Sequence, residues 1–140
     1  MSPGAGLEVA MQAKAVAMPK ELPADAASVC EILKRGLEGR DAELAASVYA
    51  ENVEFLIVNR NYPPSNPLVR KGRAAVLAMY QDICSREMMH KVTSIVVGPE
   101  GFAIRESCQY PDGGRVLGHV IAEMRDGKIV RQFNVDCWDE

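Results

Sequence analysis

Histidine and cysteine are scarce in this sequence and lie far apart. Among 140 residues there are two histidines, His90 and His119, and four cysteines, none of which forms a C-x-x-C pair. Zinc sites and redox-active disulfides need such residues at close spacing. The sequence therefore predicts no metal site and no disulfide, and its free thiols indicate a reducing, cytoplasmic setting.

Long apolar runs and a strong excess of charge are also missing. No segment approaches the roughly 18 consecutive apolar residues of a membrane span, and the first 20 residues lack the basic start and apolar stretch of a signal peptide. The 16 basic and 19 acidic side chains give a net charge of -3, and the one basic cluster, residues 70–73, is too short to follow a phosphate backbone. We therefore expect neither a membrane nor a nucleic acid as a partner.

The remaining composition is typical of a globular domain. Hydrophobic residues make up 48% of the chain and charged residues 25%, which argues against disorder and supplies enough apolar surface for one core. Residues 1–22 are rich in Gly, Ala, Met and Pro without a steady period, and we interpret them as a flexible N-terminal arm. Residues 23–140 are predicted to form a single domain.

Apolar spacing predicts three helices followed by a sheet. The first two helices are expected to begin at Asp25 and Asp41, and the third covers residues 73–87. One early strand is predicted at residues 53–58. The apolar period then changes to two, with strands expected at residues 90–97, 102–110, 115–125 and 128–138. This order indicates an α+β fold with the helices packed on one face of an antiparallel sheet.

Turn lengths determine which strand residues face each other, because the side-chain period of a strand is two. The predicted turns are a two-residue turn at Asp126-Gly127 and longer turns at residues 98–101 and 111–114. Together they place one polar row across the sheet: Thr93, Glu106, His119 and Asn134.

This row, with Asp136 diagonal to His119, contains the candidate catalytic residues. Glu106 and His119 as neighbours would shift each other's pKa and form an acid/base pair, with Asp136 and Asn134 as further candidates. The alternative is a structural hydrogen bond inside the core. A β-bulge in either hairpin would reverse the faces, and the polar candidates would then be Arg105, Ser107 and Arg131.

Five further residues are predicted to bind substrate: Thr93, Tyr62, Gln132, Trp138 and Tyr49. Tyr62 belongs to a proline-rich loop, where it either guards a pocket mouth or packs on the surface. His90 begins a strand and is interpreted as an edge residue, and the cysteines as small hydrophobes. Both faces of the sheet are too apolar to be exposed to water, so we expect the helices to cover one face and a second subunit to cover the other.

Three segments resemble a known family. They are RGLEGRDAELAASVYAENVEF at residues 35–55, VRKGRAAVLAMY at 69–80 and VIAEMRDGKIVRQFNVDCW at 120–138. The pattern resembles the SnoaL-like polyketide cyclases of the nuclear-transport-factor-two-like superfamily, with ketosteroid isomerase, scytalone dehydratase and limonene epoxide hydrolase. The resemblance implies a cone-shaped α+β barrel in which three helices and a strongly curved, mainly antiparallel sheet enclose a pocket. It also implies homodimers through the sheet and cofactor-free chemistry on small hydrophobic, oxygenated molecules.

The catalytic residues of these relatives are not reproduced. By the resemblance, Ile57 stands where ketosteroid isomerase has its general-base aspartate, and Asn134 stands where limonene epoxide hydrolase has an aspartate. The partners of that aspartate fall at or near Glu106, Ser107 and Gln109. Three functions stay open: an isomerase, cyclase or epoxide-hydrolase-like enzyme, a small-ligand-binding module without chemistry, and a dimeric interaction module.

Overall fold

The computed structural model describes residues 25–139, and the arm predicted at residues 1–22 lies outside the described residues. Within the described part, three helices and six strands follow one another along the chain. In order they are α1 Ala26–Glu38, α2 Ala42–Ala46, β1 Tyr49–Val58, β2 Leu68–Lys71, α3 Arg73–Cys84, β3 Met89–Gly98, β4 Gly101–Gln109, β5 Arg115–Arg125 and β6 Lys128–Trp138.

The first two helices begin where the sequence predicts. The Asp25 carboxylate accepts the Ser28 N–H at 2.8 Å at the start of α1, and Asp41 accepts the Leu44 N–H at 3.0 Å at the start of α2. A carboxylate at this position satisfies an amide that has no partner inside its helix. Both predicted starts are therefore confirmed.

The helices pack on one side of a single curved sheet, whose strand order is β2-β1-β6-β5-β4-β3. The β1–β6 pair is parallel and the other pairs are antiparallel. The predicted α+β fold, with three helices on a mainly antiparallel sheet, is confirmed. The early strand, predicted at residues 53–58, is longer than predicted, because β1 begins at Tyr49. β2 was not predicted, and it includes the end of the proline-rich loop that contains Tyr62.

Two of the predicted hairpin turns have the expected closing pairs. Arg125 pairs with Lys128 across Asp126-Gly127, and Val97 pairs with Phe102. The register nevertheless shifts by one residue in all three hairpins. Thr93 and Val130 are the extra residues of two bulges. The loop between β4 and β5 closes one residue earlier than predicted, so that Gln109 pairs with Arg115.

These shifts correct the predicted polar row. Glu106 pairs with Gly118 instead of His119, and Gly118 pairs with Asp136. His119 therefore lies on the opposite face of the sheet, paired with Arg105 and Val135, and is exposed. The predicted acid/base pair of Glu106 and His119 is wrong, because a strand that slips by one residue presents its other face.

Thr93 is the extra residue of the bulge in β3, which removes it from the row as well. It is exposed, and its hydroxyl lies 3.4 Å from the Arg105 carbonyl oxygen. Beside the bulge, the Val92 N–H is donated to the Glu38 carboxylate of α1 at 2.8 Å. A bulge leaves a backbone group without a hydrogen-bond partner on the neighbouring strand. Here the Glu38 side chain of α1 is the partner.

The hydrophobic core lies between the helices and the concave face of the sheet. Its largest fully buried apolar and aromatic side chains are Tyr49, Phe55, Leu33, Ile129, Val29, Val53 and Val76. No helix within residues 25–139 is long and apolar enough to cross a membrane.

Candidate functional site

A cavity of about 200 Å³ lies between α1, α3 and the concave face of the sheet. Leu33 and Leu37 line it from α1, Met79 and Tyr80 from α3, and polar groups of β3 to β6 form one wall. The cavity adjoins a wider vestibule of about 610 Å³, and Arg86 and seven other residues line both. The site is thus a mostly apolar pocket with a few convergent polar groups, which is typical of a small-molecule site.

Two carboxyl groups share the polar wall on either side of a glycine. Glu106 and Asp136 are on the strands that flank β5, and both pair with Gly118. A Cβ at Gly118 would lie 2.8 Å from Asp136 Oδ1. The glycine therefore leaves the space that the Asp136 carboxylate occupies.

Asp136 has the ionisation behaviour expected of an acid/base group. Burial, and then the negative charge of Glu106, raise the pKa of Asp136 from 3.8 to about 6. No hydrogen bond from residues 25–139 opposes this rise. A carboxyl group with such a pKa exchanges its proton readily near neutral pH.

A chain of hydrogen bonds orients the neighbouring amide. The Tyr49 hydroxyl donates to Gln132 Oε1 at 2.7 Å and shares a 2.7 Å hydrogen bond with the Tyr80 hydroxyl. Because Tyr49 has one proton, Tyr80 must be the donor to Tyr49. Gln132 Nε2 donates to Asn134 Oδ1 at 3.0 Å. This hydrogen bond turns the Asn134 carbonyl oxygen toward Gln132, and the Asn134 N–H groups have no hydrogen-bond partner among residues 25–139, so they are available to a ligand.

His90 is buried in the same wall of the cavity, and its Nδ1 atom makes two polar contacts. Its Nδ1 is 3.1 Å from Glu106 Oε2 and 3.2 Å from Cys108 Sγ. Burial, and then the charge of Glu106, raise the pKa of the Cys108 thiol well above its ordinary value, so the thiol is not an activated nucleophile. The three side chains offer ligand atoms that all lie within 4.8 Å of one another, the one such group found among residues 25–139.

The structure brings most of the predicted site residues together. Glu106, Gln132, Asn134, Asp136 and Trp138 all line the cavity. Tyr49 is buried behind the wall through its bond to Gln132, and Tyr62 lines the vestibule. This placement favours Tyr62 at the pocket mouth over simple surface packing.

His119 and Thr93 are the exceptions, since neither lines the cavity or the vestibule, and the hydrogen bonds of both go to Arg105 outside them. Arg105, whose Nε donates to His119 Nε2 at 3.1 Å, shares the outer face with His119. Ser107 and Arg131, the other candidates for a shifted register, lie on that face too. The shifted register therefore leaves Arg105, Ser107 and Arg131 on the outer face, away from the cavity.

His90 is on the edge strand β3, as the sequence predicts, but its place in the site was not predicted. In the structure His90 is 8% exposed and lines the cavity. Its signal is the adjacent polar pair Thr93-Ser94, which interrupts the alternation of β3 and thus marks a bulge. Tyr80 was also missed as a polar group, because its helical spacing indicated only a core position.

A curled α+β cone with a deep cavity between its helices and its concave sheet is the nuclear-transport-factor-two-like class of fold. Residues 31–132 match the SnoaL-like domain, and the chain therefore belongs to the SnoaL-like family. No curated protein matches the chain.

Several solved structures are similar to this chain. A candidate ketosteroid isomerase from Kribbella flavida DSM 17836 is 25% identical, with a TM-score of 0.65 over 81% of this chain and 76% of that one. An NTF2-like protein of unknown function from Mesorhizobium loti is 19% identical, with a TM-score of 0.70 over 84% and 95% of the two chains. One from Burkholderia xenovorans LB400 is 15% identical, with a TM-score of 0.66 over 82% and 83%. The last two comparisons support the fold alone.

Proposed function

We propose that this protein binds a small, hydrophobic, oxygenated molecule in its cavity and transforms it by acid–base chemistry, as an isomerase, cyclase or epoxide-hydrolase-like enzyme. The observation that carries the proposal is Asp136, a carboxyl group on the wall of an apolar cavity with a pKa of about 6. The similarity to a candidate ketosteroid isomerase supports the same class of chemistry.

Each polar group of the wall has a defined part in this chemistry. Ionised Asp136 takes a proton from a carbon next to a carbonyl group, or from a water molecule. The free N–H groups of Asn134 stabilise the negative charge that develops on oxygen. Asp136 then returns its proton to another atom of the substrate, which completes an isomerisation without a cofactor. The negative charge of Glu106 adds to burial in keeping the proton affinity of Asp136 high.

The alternative functions predict different observations. An interaction module needs no internal void, so a cavity of about 200 Å³ with a polar wall favours a ligand-binding function. A binding module without chemistry would tolerate displacement of the Asp136 carboxylate, provided that the cavity keeps its shape. This difference separates the enzyme from the binding module.

Replacing Gly118 by alanine is the test. The new Cβ would be 2.8 Å from Asp136 Oδ1, so the flexible carboxylate must shift while the backbone stays in place. We expect the turnover of epoxides, enones and polyketide-like aldehydes, whichever the wild type accepts, to fall about 10–100-fold, since a small misplacement of a reacting group is that costly. Ligand affinity, measured by calorimetry, should change less than fivefold or so.

His119→Ala is the matched control, because His119 is on the outer face of the same strand. This variant should retain wild-type turnover. Binding of these compounds by wild-type protein without any turnover would favour the binding module. Equal turnover in wild type and in Gly118→Ala would contradict the assignment of Asp136.

The outer face of the sheet is the proposed contact of a homodimer. Val96, Leu117, Ile121 and Val135 are apolar side chains of this face, and their exposed fractions run from 44% to 69%. Apolar groups this exposed on one face are typical of a protein interface. A second copy of the chain would cover them, while the cavity on the concave side stays free.

Ile121→Glu should convert this dimer to a monomer. A carboxylate at the centre of an apolar interface loses its water without gaining a partner. Analytical ultracentrifugation should show the mass falling to half that of the wild type. Val97→Glu is the control, since Val97 is 44% exposed but on the concave side of the sheet. A wild-type protein that is already monomeric, or a dimer that survives Ile121→Glu, would contradict the proposed contact.

A further inference from the structure

His90, Glu106 and Cys108 form a cluster of three side chains that each offer an atom able to bind a metal ion. His90 Nδ1 lies 3.1 Å from Glu106 Oε2 and 3.2 Å from Cys108 Sγ. A ring nitrogen carries either one proton or one lone pair, so it can donate to the carboxylate or accept from the thiol but cannot do both fully. The other nitrogen, Nε2, is buried and has no partner within the described chain. The cluster is therefore the one polar environment of this ring.

We propose that these three side chains bind a divalent transition-metal ion of the zinc type. The ligand set would be one imidazole, one carboxylate and one thiolate, which is a donor set that borderline-soft ions such as Zn²⁺ and Co²⁺ favour. All three ligand atoms lie within 4.8 Å of one another. This inference does not depend on the proposed function.

The distances fit such an ion after a small adjustment. Two tetrahedral ligands at about 2.0 Å for nitrogen and about 2.3 Å for sulfur lie roughly 3.5 Å apart. His90 Nδ1 and Cys108 Sγ are 3.2 Å apart, so the ligands need to separate by only a few tenths of an ångström. The side chains come from the paired strands β3 and β4, in which His90 is the direct partner of Cys108, and the backbone thus holds the ligands in place.

Charge and access also favour a cation. Glu106, and more weakly Asp136, place negative charge near the Cys108 thiol. A divalent ion would neutralise Glu106 and the thiolate, and the thiol proton would be released to solvent. All three residues line the cavity, so a fourth coordination position would face the cavity and accept water or a ligand oxygen. Three protein ligands with one open position are typical of a reactive metal site.

Titration of the metal-free protein with Co²⁺ tests the site without any substrate. A thiolate-bound Co²⁺ in tetrahedral geometry gives a near-ultraviolet charge-transfer band and intense visible bands, whereas a hydrated ion gives neither. We expect both bands to saturate at one ion per chain and to disappear when Zn²⁺ displaces Co²⁺. The absence of a thiolate band in wild-type protein would overturn the proposal.

Cys108→Ser should remove the charge-transfer band and weaken Co²⁺ binding by more than the roughly 10–100-fold that loss of an outer partner costs. The control is Cys137→Ser, which removes an exposed thiol of the outer face and should leave both bands unchanged. Glu106→Gln keeps the shape of the side chain and serves as the second variant if Cys108→Ser does not fold. A band that persists unchanged in either ligand variant would overturn the assignment.

Discussion

Asp136→Asn should lower the turnover number at least about 100-fold, because asparagine cannot accept a proton and general acid–base catalysis typically contributes about 10²–10⁴-fold. The side chain keeps its size, so the cavity and the affinity for substrate should change little. Steady-state kinetics with a chelator present measure the Asp136 contribution without any bound metal. Equal turnover in wild type and variant would contradict the assignment of Asp136 as the base.

The pH dependence of the wild-type reaction, measured with the same chelator present, should follow the ionisation of Asp136. The base is active when ionised, and burial together with Glu106 raises the pKa of Asp136 to about 6. The value of kcat/KM should therefore rise about tenfold per pH unit below that pKa and level off above pH 7 or so. In Glu106→Gln the midpoint should move to lower pH, since the repelling charge is gone. A profile that falls with rising pH in this window would instead identify Asp136 as a general acid.

Asp136→Asn should also stabilise the protein at neutral pH. The folded-state pKa of Asp136 lies above its ordinary value of 3.8, so the unfolded chain loses this proton first as the pH rises. Stability therefore falls between about pH 4 and pH 6, by roughly 1–3 kcal/mol for a shift of this size. Asp136→Asn removes that loss. Urea unfolding should show the gain at pH 7 and almost none at pH 4, which also separates loss of catalysis from loss of folding.

Most of the fold could be predicted from the sequence, because helix caps and tight turns depend only on residues that are near one another in the chain. Asp25 and Asp41 satisfy helix amides beside them, and Asp126-Gly127 closes a two-residue turn whatever lies beyond it. The short strand β2 was missed because its pairing with β1 joins segments on either side of a long loop. Only the packed sheet decides whether such a segment pairs.

Prediction of the site residues depended on the register between strands. An error of one residue in one hairpin carries over to each strand that follows. One shift lies at the loop between β4 and β5 and a second at Val130, and together they move the β6 partner of Glu106 by two residues, from Asn134 to Asp136. Two residues are one side-chain period of a strand, so Asn134 and Asp136 still share the cavity face with Glu106. His119 lies on the strand between the two shifts, where only the first shift acts, and it therefore changed face. The extra residue Thr93 brought His90 beside Cys108, which no turn count from the sequence alone could show.

Gln132→Glu should destabilise the protein by up to about 4 kcal/mol at pH 7. Gln132 is 2% exposed and accepts the Tyr49 hydroxyl in the interior. A glutamate there must either ionise without water or keep its proton. Each pH unit above the ordinary glutamate pKa of about 4.3 costs about 1.36 kcal/mol while the folded state keeps that proton. The destabilisation should therefore grow from pH 4 to pH 7, the reverse of the change in Asp136→Asn.

The matched control for this variant is Gln109→Glu, the same chemical change at an exposed position of β4. Water solvates a carboxylate there, so the free energy of unfolding should change by less than about 0.5 kcal/mol at any pH. Urea unfolding of both variants between pH 4 and pH 7 makes the comparison. If Gln132→Glu were as stable as wild type at pH 7, water or a cation would have to reach Gln132. The buried hydrogen-bonded chain that orients Asn134 would then be wrong, and with it the role of Asn134 in stabilising charge on the substrate.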